Sequence, residues 1–507
     1  VQLLLTLFTI RAALRVKYYG KGFILSFINK LIIAVLVGFI ICNPVNAASK
    51  AHYLPVKTDP LIELDLERLA TLAKMPVLSK PFHILTVKQY LEKIKSDYPQ
   101  LYTRINAYLN RYQKSYGLTH LDIEASYSTY DDKNLGNTRG MDSASNIKAE
   151  ASGYWQLSDN FNLSLGGTVF DGSDGLIPNH TYLSYFNEYI QFDLGFKEIW
   201  LSPLQESAML LSTNAEPVAR FSISSPRPLT RWNFEYDISF GKLETQQGIR
   251  LGEERFSGKP GFLTMHFSAQ LFDWWTVGIN RTMMFGGGRR DVDLGDIWEA
   301  IVDPVSGDNC GGESDLQDCS EEAGNQQASI STKFDFNWGS FYFEMAGEDT
   351  ANYSSFQLGK IAYSFGLFFP YLTEDSSLLA EFQLISDAWY VHGIYSEGYR
   401  NNLHSMGHWW GDEKAIDDSI GAQVFTLRYN HDLSDKYHFE TKIRYINNDP
   451  DMGREGTVYL YDYSKGKEME LSLYQITESA QWRYQLYFGS DTLDEDFARL
   501  SVEYSWR

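Results

Sequence analysis

Apolar and polar side chains alternate along the last segment of the chain. Leu500, Val502, Tyr504 and Trp506 fall on one face, and Arg499, Ser501, Glu503 and Ser505 on the other. A two-residue period of this kind marks a strand with one apolar and one polar face. The pattern recurs from residue 118 onward, with aromatic residues returning every second position. It predicts strands at 118–129, 144–157, 161–170, 182–196, 230–243, 262–272, 276–285 and 329–338. Further strands are predicted at 340–348, 356–369, 378–391, 420–431, 436–447, 469–476, 480–489 and 497–506. A chain that enters and leaves a transmembrane barrel on the same side must cross an even number of times. These segments satisfy that parity, and one more pair is expected in the weaker alternation of 197–225, for about eighteen strands.

Connections fall into two kinds. Short turns at 158–160, 273–275, Gly339 and 433–435 alternate with long loops at 130–143, 171–181, 244–261, 286–328, 392–419 and 448–468. Bacterial barrels place short turns in the periplasm and long loops outside the cell.

Residues 59–114 follow a helical period instead. Asp59 is an N-cap candidate before Pro60, and Leu61, Leu64, Leu66, Leu69 and Leu72 make an apolar stripe ending near Pro76. Two more helices are expected at 87–97 and 100–114, separated by Pro99 and stopped by Gly117. The fold class is thus an all-β transmembrane barrel of about eighteen antiparallel strands with a small N-terminal periplasmic α-helical bundle. Residues 1–47 read as a signal peptide, 48–117 as the helical bundle and 118–507 as the outer-membrane barrel. The signal reading rests on an eleven-residue apolar run at 31–41, preceded by Lys21 and Lys30 and followed by Val45-Asn46-Ala47.

Charge narrows the partners. Without residues 1–47 the chain has 39 basic and 65 acidic residues, a formal charge near −26. Such a balance opposes nucleic-acid binding and suits a water-facing acidic surface. Outer-membrane lipid is the expected surrounding, and the protein is expected to be a monomer. Cys310 and Cys319, both in the polar loop 286–328, are expected to pair as a disulfide in an oxidising compartment.

Loop 392–419 carries the richest chemistry. Tyr395, Tyr399, Arg400, His404, His408, Trp409, Trp410 and Asp412 combine flat aromatic faces with planar hydrogen-bonding groups, the inventory that carbohydrate binding needs. The same inventory suits a loop folded into the lumen as a plug. The four-residue spacing of His404, His408 and Asp412 is compatible with metal ligands on a helix, but Gly407 and Gly411 disfavour that helix, and no metal or other cofactor is expected. Loop 286–328 has eleven acidic residues; Asp291, Asp293 and Asp296, or Asp303 and Asp308, offer hard oxygens to calcium or simply a solvated surface. Arg289 and Arg290 could instead meet uronate carboxylates. No nucleophile elbow, phosphate loop or zinc-hydrolase pair occurs, so no enzymatic activity is expected.

Three features resemble the capsule assembly Wzi family of outer-membrane proteins. One is Gly195-Phe196-Lys197-Glu198-Ile199-Trp200-Leu201-Ser202-Pro203 with Ser207-Ala208-Met209-Leu210-Leu211-Ser212-Thr213-Asn214-Ala215-Glu216-Pro217. Another is Tyr399-Arg400 with Gly407-His408 and Gly411; the third is the order of signal, helices and barrel over residues 48–507. Within the first motif Trp200, Pro203, Leu211, Ser212, Asn214 and Pro217 are the identifying positions. The resemblance implies an eighteen-stranded, lectin-like barrel with periplasmic helices that binds surface polysaccharide and supports capsule or exopolysaccharide assembly and attachment. A porin or sugar-diffusion channel is the alternative, and the contents of the lumen discriminate between them.

Overall fold

The computed structural model describes residues 52–173, 175–303, 324–351, 354–449 and 460–506. The expected signal peptide, Asp308, Cys310 and Cys319 lie outside the described residues. Among the described residues, eighteen strands form one antiparallel sheet. The first strand, Tyr116–Ser128, pairs with the last, Asp496–Trp506, which closes the sheet into a barrel. In the last strand Arg499, Ser501, Glu503 and Ser505 are buried toward the lumen, while Leu500 is 57% exposed on the outer wall. The polar face therefore lies inside and the apolar face outside, the arrangement of a barrel in lipid.

The strand count agrees with expectation, but two crossings arise differently. Residues 182–196 are two strands, Thr181–Phe186 and Gln191–Phe196. Asn187 breaks them: its side-chain oxygen accepts from the amides of Tyr189 and Ile190 at 2.9 and 3.1 Å, closing a tight turn. The stretch 197–225 then supplies one strand, Arg220–Ser224. Residues 354–358 pair with 350–351 outside the barrel, and the crossing strand is Ala362–Thr373. The long connection 243–260 carries a similar hairpin, Gln246–Leu251 with Glu254–Gly258.

A belt of stacked rings marks the short-turn end. Phe272, Trp274, Trp275, Phe334 and Phe341 follow one another at centroid spacings of 5.7–6.2 Å, and Phe336, Trp338 and Phe369 continue it. Aromatic girdles of this kind sit at membrane–water boundaries.

The helices are α1 (Pro60–Leu72), α2 (Ile84–Leu91) and α3 (Pro99–Leu109). Asp59 caps α1 as its sequence position foretells, accepting from Leu61 and Ile62. The helix ends four residues before Pro76, where Lys74 adopts a positive φ of 54°. Single 3₁₀ turns, Glu92–Ile94 and Asn110–Tyr112, extend α2 and α3. Leu66, Leu69, Val87, Tyr90, Leu101, Ile105 and Leu109 bury together between the helices. Helix α1 also enters the barrel mouth, with Leu64 packed on Leu204, Tyr342, Phe368 and Leu379. Lys333 donates to the carbonyl of Ala70 at 3.0 Å, Ser340 bonds Thr71 at 2.8 Å, and Arg428 bonds Glu67 at 2.8 Å. The helical unit is thus a stopper in the short-turn mouth. Among the described residues no helix is long and apolar enough to cross a membrane.

Candidate functional site

At the long-loop end the chain closes its own lumen. Residues 197–219 leave strand Gln191–Phe196 and turn inward, where Trp200 is fully buried and donates Nε1–H to the carbonyl of Leu204 at 2.9 Å. Trp200 also exchanges two backbone hydrogen bonds with Lys80, tying this loop to the helical stopper. Pro203 turns the chain between Ser202, which donates to Glu344 at 2.8 Å, and Leu204. Glu381 on the wall accepts from the amides of Gln205 and Glu206 at 2.6 and 3.2 Å. Arg428 adds bonds to Gln205 at 2.7 Å and Glu206 at 2.6 Å.

The second half of this motif joins three loops. Leu211 packs in the largest buried cluster with Trp389, Tyr390, Tyr395, Tyr399, Trp409 and Trp410. Ser212 accepts from the amide of Asn214 at 3.0 Å and donates to the carbonyl of Gly407 at 2.5 Å. Asn214 accepts from the amide of Asn137 at 3.0 Å and donates to the carbonyl of Ser405 at 3.0 Å and to Asp412 at 2.8 Å. Pro217 ends the stretch beside Glu216, whose carbonyl accepts from Asn401 at 3.0 Å. Gly140, with φ +81°, lets loop 129–146 close on this point; a side chain there would run into the His404 ring.

The eight expected carbohydrate residues come together, but as interior. Tyr395 donates to the carbonyl of Gly286 at 3.0 Å and Tyr399 to that of Leu210 at 3.0 Å. Trp410 donates to Asn448 at 2.6 Å, and Arg444 lies 4.9 Å from the ring of Trp409. His408 uses Nδ1 to accept from the amide of Trp410 at 3.0 Å. Burial, and then the charge of Arg444, push its imidazole down to about 3. Asp412 is the hub: it accepts from Arg400 at 2.5 Å, the amide of Ser405 at 2.9 Å, Asn214 at 2.8 Å and His404 at 3.2 Å. Burial works against its charge, but the His404 bond, Arg400 and the Ser405 amide together hold the carboxyl below its usual range. His404 has the most open side chain of the eight, 23% exposed.

Exposed aromatic platforms for sugar are therefore replaced by a plug, because the rings of Tyr395, Tyr399, Trp409 and Trp410 are spent on neighbouring protein. The histidines also diverge, one toward Asp412 and one toward Trp410, so they do not converge as metal ligands. Asp293 and Asp296 form a capping box on helix α4 (Leu294–Val302), which occupies carboxylate oxygens offered to calcium in the sequence reading.

Sequence reasoning missed Tyr390, Asn137, Arg139 and Lys133. Tyr390 donates to the carbonyl of Met209 at 2.6 Å and accepts from the amide of His408 at 2.7 Å. Asn137 and Arg139, both at φ 63°, shape the turn before Gly140, and that Asn-Thr-Arg-Gly run is the signal available for them. Lys133, buried, bonds Glu413 and Glu468, partners too distant in sequence to foresee.

Between the two stoppers remains a cavity of about 180 Å³ lined by Lys57, Arg139, Lys148, Lys442, Arg444, Arg483 and Arg499 facing Glu124, Glu206, Glu470 and Glu503. The charges alternate in contact: Arg499 with Glu124 at 3.2 Å, Arg483 with Glu503 at 3.0 Å, Lys442 with Glu206 at 3.2 Å. Beside it, His120, Asp122 and Glu150 present ligand-type atoms within 4.8 Å of one another. Arg139 and Lys148 already stand 3.4 Å from Glu150 and 3.9 Å from Asp122, so protein cations balance this group.

An apolar outer wall, an aromatic belt, a polar lumen and two stoppers made from the chain itself define a plugged outer-membrane β-barrel. The chain belongs to the capsule assembly protein Wzi family, whose model matches residues 122–495. No curated protein sequence matches it. Among solved structures it is similar to Wzi from Escherichia coli, an outer membrane protein involved in group 1 capsule assembly and described as a carbohydrate-binding β-barrel. The identity is 16%, the TM-score 0.62, and the match covers 88% of this chain and 98% of that one. OpdQ of Pseudomonas aeruginosa matches at 9% identity and a TM-score of 0.45, over 76% of this chain and 96% of its own.

Proposed function

We propose that this protein is a lectin-like surface barrel that binds capsular or related exopolysaccharide at its long-loop end and helps hold it on the cell. The observation that carries the reading is the closure of the lumen by both stoppers, which leaves a binding surface rather than a path for diffusion. Family membership supports the polysaccharide as ligand. In this reading the rings of Tyr395, Tyr399, Trp409 and Trp410 are the scaffold. The contact surface is the hairpin Arg400–Ser405 that they support, with exposed Asn402 and Leu403 beside His404. Asn402 donates to Glu216 at 2.8 Å, which sets the hairpin tip against the family motif. The mature barrel acts as a monomer after loss of residues 1–47, and the reading assigns it no catalytic step.

Deletion of the gene in its native host tests this. Polysaccharide should move from the cell surface to the medium with total synthesis unchanged, and complementation with Asn402→Ala/Leu403→Asp should restore retention less well than the wild type. Unchanged partition would sink the anchoring role. A steady open conductance in planar bilayers would favour the channel instead.

A further inference from the structure

We propose that helix α4 lies in the outer leaflet of the membrane as an in-plane lipid contact, wedged between the barrel wall and acyl chains. Its Ile297, Ala300 and Ile301 pack on outward-facing Leu263, Met283 and Phe285. A second stripe, roughly 100° round the helix from this packing face, is Leu294, Trp298 and Val302, which repeat every four residues and are 81%, 65% and 57% exposed. In water such a stripe is unfavourable. Here it continues the lipid-facing wall, where Ile279 and Ile330 are 55% and 51% exposed.

Arg281 gives the helix its depth. Asn280, its neighbour, turns inward to Ser329, so Arg281 points outward. It donates to the carbonyls of Ile301 at 2.8 Å and Ala300 at 2.5 Å and bonds Gln326. These are the last-turn carbonyls that a helix leaves unpaired, and the negative end of its dipole suits a cation. From Trp275 in the aromatic belt to Arg281 the strand climbs roughly 15 Å along the membrane normal, at about 3.3 Å per residue and a tilt of about 40°. That level is inside an apolar band about 25 Å tall. The helix therefore shields an outer-wall charge from lipid while offering lipid an apolar flank. The exposed carboxylates of Asp293, Asp296 and Glu299 set the upper limit of its depth, because they must face the polar headgroups while Leu294, Trp298 and Val302 face acyl chains.

The test uses the full barrel in phosphatidylcholine vesicles with Cys310→Ser and Cys319→Ser, and nitroxides attached in turn at Leu294→Cys, Trp298→Cys and, as a water reference, Asn402→Cys. Labels at 294 and 298 should collide more with oxygen than with a water-soluble nickel chelate, the reverse of 402. Nickel access equal to that at 402 would place the stripe in water and overturn the proposal. Shielding from both probes would put protein on it and overturn it equally. With the native cysteines kept, brominated acyl chains should quench wild-type tryptophan fluorescence more than that of Trp298→Phe; equal quenching would count against it.

Discussion

Asp412→Asn is a sharp probe of the outer stopper, because the substitution preserves shape and removes charge. Both carboxylate oxygens accept two donors: Arg400 and the Ser405 amide on one, His404 and Asn214 on the other. An amide would have to turn its NH₂ toward one of these donor pairs, and buried Arg400 would lose its counter-charge. Breaking one side of a buried ion pair costs about 3–5 kcal/mol. Expressed as local opening, that is a rise of roughly 10²- to 5 × 10³-fold in hydrogen exchange at the Ser405 amide. The assay is exchange mass spectrometry on the hairpin Arg400–Ser405, in detergent and in vesicles, with polysaccharide retention scored in parallel. Because the folded carboxyl titrates below its unfolded value, its contribution is complete above about pH 4 and is lost only as pH falls through the lower folded value. The wild-type hairpin should thus stay protected from pH 7 down to about 4, while the variant is open throughout. Exchange in Asp412→Asn within a factor of about five of wild type, near 1 kcal/mol, would refute the hub.

Three further outcomes are expected. Arg428→Met should loosen the short-turn stopper by about 3 kcal/mol, the low end for a broken buried pair, since Glu67 keeps Lys80 at 3.0 Å and Glu206 keeps Lys442 at 3.2 Å; earlier unfolding in urea and new conductance steps in bilayers would register it. Gly407→Ala should cost about 1–3 kcal/mol or prevent folding, because the new methyl meets the Met209 carbonyl and the Tyr390 hydroxyl; heat-modified mobility on gels reads the folded fraction. The helical unit should lose stability as pH falls from about 6.5 toward 4. Burial pushes His83 down to about 4 and His52 to about 3, so the folded state must stay neutral where the unfolded chain takes up protons. Melting temperature followed against pH should show the fall, and His83→Asn, which keeps an acceptor for the Leu85 amide, should flatten it.

Much of the barrel is written in local alternation, because each lipid-facing strand must satisfy its own pattern. Arg499 to Trp506 reads correctly with no knowledge of its partners. Asn187 escaped notice because alternation resumes on both sides of a four-residue turn, so two short crossings look like one long one. Met209-Leu210-Leu211 looks like a weak strand, since an apolar run carries no label for lumen or lipid. In loop 392–419 the residue types were legible and their use was not. Whether Tyr399 meets a sugar or the carbonyl of Leu210 depends on a contact 189 residues away. No local period encodes that, and the apposition of Asp412 with Asn214 is equally remote.

The bond from Arg428 to Glu67 spans 361 residues and imposes an order of events on biogenesis. Helices α1 to α3 emerge early, yet the wall that receives them is not complete until strand Gly421–Ser434 and those after it have been laid down. Contacts of such span form late and slowly. During that interval the helices hide Leu66, Leu69, Val87 and Ile105 against one another, and Glu67 holds only Lys80 of its own unit until Arg428 arrives. Seating the stopper is then a checkpoint: a chain that fails to complete its wall also fails to cork it.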